Sequence, residues 1–318
     1  MRKAQVVIVT PASADANNGN WRTAQRWSGF LADDYRVRVA KEWDDGDEAL
    51  MIALHARRSA TSIAAWRARH PTRPLLLVLT GTDLYRDIPV DGGARRSLEL
   101  ADRLVVLNER GLAALPERFR PKASVLLQSC PARVRTAKTQ RLLRVVMVGH
   151  LRDEKRPDTF FEAVRRLADR ADIVFEHVGA GLDPALAAEA RALMAGGLRY
   201  RWFGALGHGR TLARIRTAHV LVHASRIEGG AHVVIEAVRN GTAVLASRID
   251  GNVGLLGEDY GGYFPLGDSA ALAALLRRMR DEPASLAALQ AQCDARAPLF
   301  DPTREREALR SMLDTLLR

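Results

Sequence analysis

Val220-Leu-Val-His223-Ala-Ser225-Arg-Ile-Glu228-Gly229-Gly230-Ala231-His232-Val-Val-Ile-Glu236-Ala-Val-Arg-Asn240-Gly-Thr-Ala243-Val-Leu-Ala246 reads as strand, loop, helix and strand. The apolar run Val220–His223 stops at a polar loop with a glycine pair, and helical spacing follows from His232 to Asn240. This arrangement sets the first turn of a helix at the carboxyl end of a strand. The unbonded N–H groups there suit a phosphate or sugar hydroxyls. Glu228 stands at the loop mouth, and Glu236 lies about two helical turns further on. Two carboxylates accept hydrogen bonds from hydroxyls, as sugar or ribose recognition requires. The plainer reading is a pair of solvated helix-end glutamates.

The same alternation runs outward through the chain. Apolar runs at Gln5–Thr10, Tyr35–Ala40, Ala49–Leu54, Leu75–Thr80, Leu104–Leu107 and Val125–Leu127 read as strands. Helical spacing occupies Trp21–Leu31, Ser59–His70 and Arg95–Ala101. From 131 to 140 the chain turns polar and basic without apolar periodicity, as a linker does. Strands then restart at Leu143–Val148, Ile173–Val178, Arg199–Phe203, Val220–His223 and Ala243–Ala246. Helices are expected at Thr159–Asp169, Pro184–Met194, Thr211–Thr217, Ala270–Arg280, Ser285–Ala295 and Arg304–Leu317. Strands alternating with helices build parallel sheets from βαβ units. The expectation is an α/β fold of two Rossmann-like, doubly wound parallel-sheet domains, residues 1–135 and 141–300. A last helical segment, 301–318, can pack back on the first. Open α/β sheets bind ligands outside the carboxyl ends of their strands, so facing domains would enclose a cleft.

Composition narrows the function. The chain has 318 residues, 47% hydrophobic and 27% charged, an ordinary globular balance for about two domains. Cys130 and Cys293 are far apart and match neither a disulfide framework nor a zinc spacing. No apolar run reaches the roughly 20 residues of a membrane span. Met1-Arg2-Lys3 leads straight into a strand, so no signal peptide is expected and the compartment reading is the cytoplasm. Peripheral contact with a membrane stays open. The charge is unusual: 48 basic against 37 acidic residues, net +11, with only five lysines. Such a balance suits nucleic acid, an anionic membrane or small anionic substrates; a coding bias toward arginine is the plainer source. Aromatic residues, 6% of the chain, do not interleave with the basic clusters, which speaks against nucleic acid as a partner. Residues 1–140 carry 23 basic and 15 acidic residues, whereas 141–318 carry 25 and 22. In the first half, Arg57, Arg58, Arg67, Arg69 and Arg73 also read as a solvated helix flank.

The Glu228-x7-Glu236 spacing, followed by Gly241-Thr-Ala-Val-Leu-Ala-Ser247, resembles the donor motif of the family 4 glycosyltransferases, whose fold is GT-B. The resemblance implies that Glu228 contacts the donor sugar and that Glu236 binds the ribose hydroxyls. The amides of Gly229, Gly230 and Ala231 would reach sugar and phosphate, with His232 beside them. Val148-Gly149-His150-Leu-Arg152-Asp-Glu-Lys155-Arg156-Pro157 resembles the family's phosphate segment. Lys155 matches the family's lysine. His150 stands where an arginine is usual, a departure that weakens one phosphate contact or passes it to Arg152 or Arg156. Lysine is a compact charge that reaches phosphate. Phe203 and Gly204 fall where the family cups the nucleobase.

In the first domain, Asn17-Asn18-Gly19-Asn20 resembles the family's glycine loop. Thr80-Gly81-Thr82-Asp83 resembles its His-Gly-Thr-Asp segment, with threonine in the histidine position. His55 and Arg58 follow a strand and join these acceptor-side candidates, although a strand-end histidine is more often merely satisfied. Asp45-Gly46-Asp47 spells the DxD of metal-dependent transferases, but it sits in an acidic turn before the third strand and reads as solvated. Lysine and helix N-termini can neutralise a leaving diphosphate, so neither metal nor cofactor is expected. Gly179-Ala-Gly181 lacks the third glycine of a dinucleotide fingerprint.

The runs Gly149–Pro157, Leu79–Tyr85 and Ser247–Pro265 extend the resemblance to the bacterial selenosugar synthases of selenoneine biosynthesis. That implies moving a sugar, N-acetylglucosamine, from a UDP-sugar to the selenium of selenophosphate, giving a selenosugar, UDP and phosphate. Glu228, Lys155 and His55 are the expected catalytic residues. Two other readings compete: an O-glycosyltransferase on a small metabolite, sugar or lipid, and a basic nucleic-acid-binding protein. The last would lose affinity steeply with salt.

Overall fold

The computed structural model describes residues 3–11 and 19–318. The expected loop residues Asn17 and Asn18 fall outside the described residues. The chain divides into two units. One comprises Met1–Gln128, Glu228–Gly230 and Pro302–Arg318, the other Ser129–Ile227 and Ala231–Asp301.

The first unit opens with β1 (Gln5–Val9), whose Val-Val-Ile-Val run is wholly buried, as a central parallel strand must be. Then come α1 (Gly19–Leu31), β2 (Arg36–Ala40), β3 (Leu50–Leu54), α2 (Ala60–Arg69) and β4 (Leu75–Leu79). A single π-helical turn, Asp83–Asp87, precedes α3 (Gly92–Leu100), β5 (Arg103–Val106), α4 (Gly111–Ala114) and β6 (Ala123–Val125). The strands pair in the order β2-β1-β3-β4-β5-β6, all parallel. Strand order reverses between β1 and β3. A ligand crevice at the strand ends therefore opens where the chain leaves those two strands.

The second unit follows the same logic with a different winding. It contains β7 (Leu143–Val148), α5 (Pro157–Arg166), β8 (Ile173–Val178), α6 (Pro184–Ala195), β9 (Tyr200–Trp202) and α7 (His208–Thr217). After these come β10 (Val220–His223), α8 (His232–Arg239), β11 (Ala243–Ser247), α9 (Asp250–Leu256), β12 (Tyr263–Phe264), α10 (Ser269–Asp281) and α11 (Pro283–Arg296). Its parallel sheet runs β12-β11-β10-β7-β8-β9. The reversal here falls between β7 and β10, at the two segments that resemble the donor motif.

The last helix, α12 (Pro302–Leu316), belongs to the first unit. Its Leu309 and Leu313 are fully buried in one cluster with Trp27 and Leu31 of α1. The buried carboxylate of Glu305 accepts from Trp27 Nε1 at 2.7 Å and Arg26 Nε at 2.9 Å. Truncating one such leucine typically costs about 2–5 kcal/mol.

Some elements depart from the sequence expectation. β6 ends at Val125 rather than starting there, because its register with β5 runs from Leu104↔Ala123 to Val106↔Val125. α5 begins two residues early. Arg156 adopts the left-handed region at φ 48°, and Pro157 then supplies the first helical φ. α9 and β12 had no expectation. Gly251 and Gly254 are poor helix formers, yet six of the seven α9 residues are buried, and packing holds them helical.

Candidate active site

At the reversal of the second sheet, one segment leaves β10 and another leaves β7. After β10, α8 starts at His232 with no side chain capping it, since Ala231 stands at the N-cap. The amides of its first turn keep their affinity for an anion. Glu236 is buried one turn further. Its Oε1 accepts from His208 Nε2 at 2.6 Å and lies 3.3 Å from His232 Nδ1. The other nitrogen of His232 donates to the Ser129 carbonyl at 3.1 Å. Burial by itself would push the Glu236 carboxyl up; the hydrogen bonds from His208 and His232 outweigh it and hold the pKa at about 2. Glu236 is thus a fixed acceptor at neutral pH. The His208 side chain that covers it is 46% exposed, whereas the Glu236 side chain itself is 3% exposed.

A buried network stands behind that loop. His223 Nδ1 bonds Asn252 Oδ1 at 2.9 Å, and the Ser225 hydroxyl bonds His223 Nε2 at 3.3 Å. Asn252 Nδ2 donates to the Ser247 carbonyl at 2.8 Å, and the Ser247 hydroxyl donates to the Ser225 carbonyl at 2.5 Å. A connected buried network of this kind fixes one geometry. It holds Ser225, three residues before Glu228.

After β7, the Gly149 backbone meets Gly179 so closely that a Cβ on Gly179 would lie 1.9 Å from the Gly149 oxygen. His177 Nε2 donates to that same oxygen at 3.1 Å, so its Nδ1 accepts from the Tyr200 hydroxyl at 3.1 Å. The stem of Lys155 lies along Gly149: a Cβ there would sit 3.3 Å from Lys155 Cγ. His150 accepts the Ala180 N–H on Nδ1 at 3.0 Å, which leaves the proton on Nε2. Burial pushes its pKa below the ordinary histidine value, and Arg152 and Lys155 add to the push. A neutral N–H donor therefore stands where the family carries an arginine. Arg156 grips Asp158 through Nη2 at 2.7 Å and Nε at 3.0 Å, whereas Arg152 comes only within 3.9 Å of Glu154. At the end of β9, Phe203 stacks under Arg214, 4.0 Å from the ring centroid. The Gly204 carbonyl accepts the Gly179 N–H at 2.8 Å, which places Gly204 beside the Gly149 turn.

The remaining candidates gather in the first unit. Asp83 is fully buried and accepts three backbone N–H groups, from Thr80, Gly81 and Ala56, each at 2.9 Å. This carboxylate ties the turn after β4 to the turn after β3. His55 holds a left-handed backbone, φ 76°, uncommon for a residue with a side chain. Its Nδ1 accepts the Arg58 N–H at 3.3 Å, so Nε2 donates to the Thr82 hydroxyl at 3.0 Å. Burial drives the His55 pKa below the usual histidine value, Asp83 opposing and Arg58 reinforcing. Glu228, Gly229 and Gly230 belong to this unit as well: the Gly229 carbonyl accepts from Asn108 Nδ2 at 2.8 Å. Gly19 and Asn20 open α1, and Asn18 lies outside the described residues.

The acidic turn is built as a surface turn. Asp47 is 88% exposed and pairs with Arg73 at 2.6 Å, and that hydrogen bond lowers its pKa. Among the described residues, no group of three His, Cys, Asp or Glu side chains is placed to hold a metal ion. Sequence reasoning missed His208, which lies 28 residues before Glu236. It also missed Asp87, which closes the π-helical turn. Hydrophobic periodicity reports neither, because each acts through a contact made only in the fold.

Comparison with known proteins follows the same division. No curated protein matches the chain. Among solved structures, sucrose-phosphate synthase from Thermosynechococcus elongatus is similar with a TM-score of 0.78 and 17% identity, covering 99% of each chain. HepE from Anabaena, in complex with UDP and glucose, superposes with a TM-score of 0.76 at 14% identity, over 98% of this chain and all of that one. The pneumococcal O-GlcNAc transferase GtfA, in complex with UDP and GlcNAc, gives 0.70 at 17% identity, over 85% of this chain and 57% of that one. These likenesses identify the two sheets as the GT-B fold. The profile described as Glycosyl transferases group 1 matches residues 132–298, more than half the chain and the whole donor-like segment. The chain belongs to the glycosyl transferases group 1 family and is a glycosyltransferase.

Proposed function

We infer that the protein moves a sugar, N-acetylglucosamine, from a UDP-sugar to the selenium of selenophosphate, in the cytoplasm. The observation that carries the donor half is Glu236, a buried carboxylate kept ionised by two imidazoles at the strand reversal. Similar folds hold UDP with glucose or with GlcNAc, which supports the same class of donor here. Lys155, the His150 N–H and the first-turn amides of α8 would receive the diphosphate. Glu236 would take the ribose hydroxyls, and Glu228 with the Gly229–Ala231 amides the sugar. Phe203 and Gly204 would meet the base.

In the reaction, the anomeric C–O bond breaks and its electron pair leaves with UDP, while a selenium lone pair forms the C–Se bond. Water then cleaves Se–P to release phosphate. Stabilising the leaving diphosphate supplies most of the help the step needs, and positioning supplies the rest. His55, neutral and aimed at Thr82 Oγ, would orient the acceptor. The acceptor half is supported by the resemblance to selenosugar synthases and by the excess of basic residues in the first 140 positions. No helix among the described residues is long and apolar enough to cross a membrane.

The test is to incubate the protein with UDP-sugars, with and without selenophosphate, and to seek a selenium-containing sugar by mass spectrometry. Turnover of a hydroxyl acceptor without that product would assign an O-glycosyltransferase instead. Saturable UDP binding that survives moderate salt excludes a nucleic-acid binder.

A further inference from the structure

The two donor-like segments of the second unit are fastened to each other by a residue that the donor reading does not use. The chain leaving β7 is held at Leu151, whose N–H donates to the Ala180 carbonyl at 2.8 Å. It is held again at Pro157, which is buried at the start of α5. Between these points lies a single 3-10 turn, Asp153–Lys155, which buries none of its residues and has no side-chain cap. A turn so short and so exposed does not by itself hold a lysine in one place.

Arg226, which follows β10, supplies what the turn lacks. Its backbone N–H donates to the Glu154 carbonyl at 3.0 Å, and its guanidinium pairs with the Asp153 carboxylate through Nη2. The cations nearer Asp153 in sequence are turned to other carboxylates, Arg152 toward Glu154 and Arg156 onto Asp158. Arg226 itself stands on firm ground. Ser225 before it is 1% exposed; its carbonyl accepts the Ser247 hydroxyl, and its own hydroxyl bonds His223. The buried network behind β10 thus reaches, through one residue, the turn that carries Lys155.

We propose that Arg226 is a positioning residue: by clamping the Asp153–Lys155 turn to the end of β10, it fixes Lys155 relative to the first turn of α8 for one diphosphate. The word diphosphate rests on the donor reading; the clamp itself does not. One tether on the backbone and one on a side chain restrain the turn's rotation as well as its distance. A lysine placed before the anion arrives loses less freedom when it binds.

The experiment compares R226Q, D153N and R226K with the parent by UDP calorimetry. Hydrogen exchange without ligand, read by mass spectrometry, follows the Lys155 and Arg156 amides, which donate to the Arg152 and Asp153 carbonyls. Charge and clamping differ in sign here. Charge alone would make R226Q bind UDP more weakly and D153N, which removes an anion, more tightly. The clamp requires both to bind more weakly, by about three- to fivefold. R226Q/D153N should then be no worse than R226Q, and R226K should stay within twofold of the parent. Urea midpoints should not move, since the pair is exposed, 39% for Arg226 and 64% for Asp153. Exchange at the turn should quicken several-fold in R226Q and in D153N. The proposal is overturned by D153N binding UDP as tightly as the parent, by unchanged exchange in R226Q, or by affinity that falls only with the urea midpoint. A parent that binds no UDP, while exchange still responds, removes the donor reading and leaves the clamp.

Discussion

Asp83 and Glu236 are both buried carboxylates beyond the carboxyl end of a parallel strand, and they are held in opposite ways. Asp83 is saturated by three backbone N–H groups, which no ligand can displace without unmaking two turns. Glu236 is held by two imidazoles, one of them half in solvent. Backbone partners turn a carboxylate into a fastener, whereas side-chain partners keep it ionised and exchangeable. The first unit therefore spends its carboxylate on shape, and the second reserves one for binding.

Asp83→Ala tests this contrast with the largest effect. Three buried N–H groups would lose their acceptor at about 1–3 kcal/mol each, so urea unfolding should show a loss of about 4 kcal/mol. A variant as stable as the parent would break the contrast on the first side. Glu236→Gln keeps the volume and removes the charge. Sugar transfer should fall about 100-fold, close to 3 kcal/mol, while the urea midpoint moves little. The contrast collapses if stability falls as far as in Asp83→Ala and transfer survives.

Acidity sharpens the second side. His177, under the Gly149 turn, is held neutral by burial at about 4, against an ordinary value of 6.5. Because the unfolded chain takes up this proton first, its contribution is complete above pH 6.5 and fades as pH falls toward 4. Between pH 6.5 and 5 the parent should lose about 2 kcal/mol that His177→Gln does not lose, read from urea midpoints at the two pH values. Lys155→Ala gives the smallest change. UDP affinity by calorimetry should drop about tenfold, roughly 1.4 kcal/mol, and the gap should narrow as salt rises. A gap that ignores salt would remove Lys155 from the diphosphate.

Periodicity made the alternation of strands and helices legible, since the central strands are apolar on both faces. The order of those strands was not, because reversal between β1 and β3 or between β7 and β10 depends on pairing across long stretches of chain. At the site, glycine and glutamate spacing exposed Glu228, Gly229 and Glu236. One partner of Glu236 was hidden: His208 opens a helix on another strand's loop, and nothing local marks it, whereas His232 stood beside the glycine loop in the sequence. The left-handed backbone of His55 was hidden too, because it is imposed from outside. Asp83 draws the turn after β3 toward the turn after β4 through the Ala56 N–H.

The return of α12 to the first unit has a consequence in time. The face built by Trp27 and Leu31 is completed by Leu309 and Leu313. At roughly 5–20 residues per second, the ribosome needs about 10–40 s to pass from β6 to α12. Throughout that interval the half made first lacks one wall of its core, and the second unit receives its last strand, β12, before that wall arrives. The order of synthesis and the order of completion are therefore reversed, and the first-made half is the one that most needs protection while the chain grows.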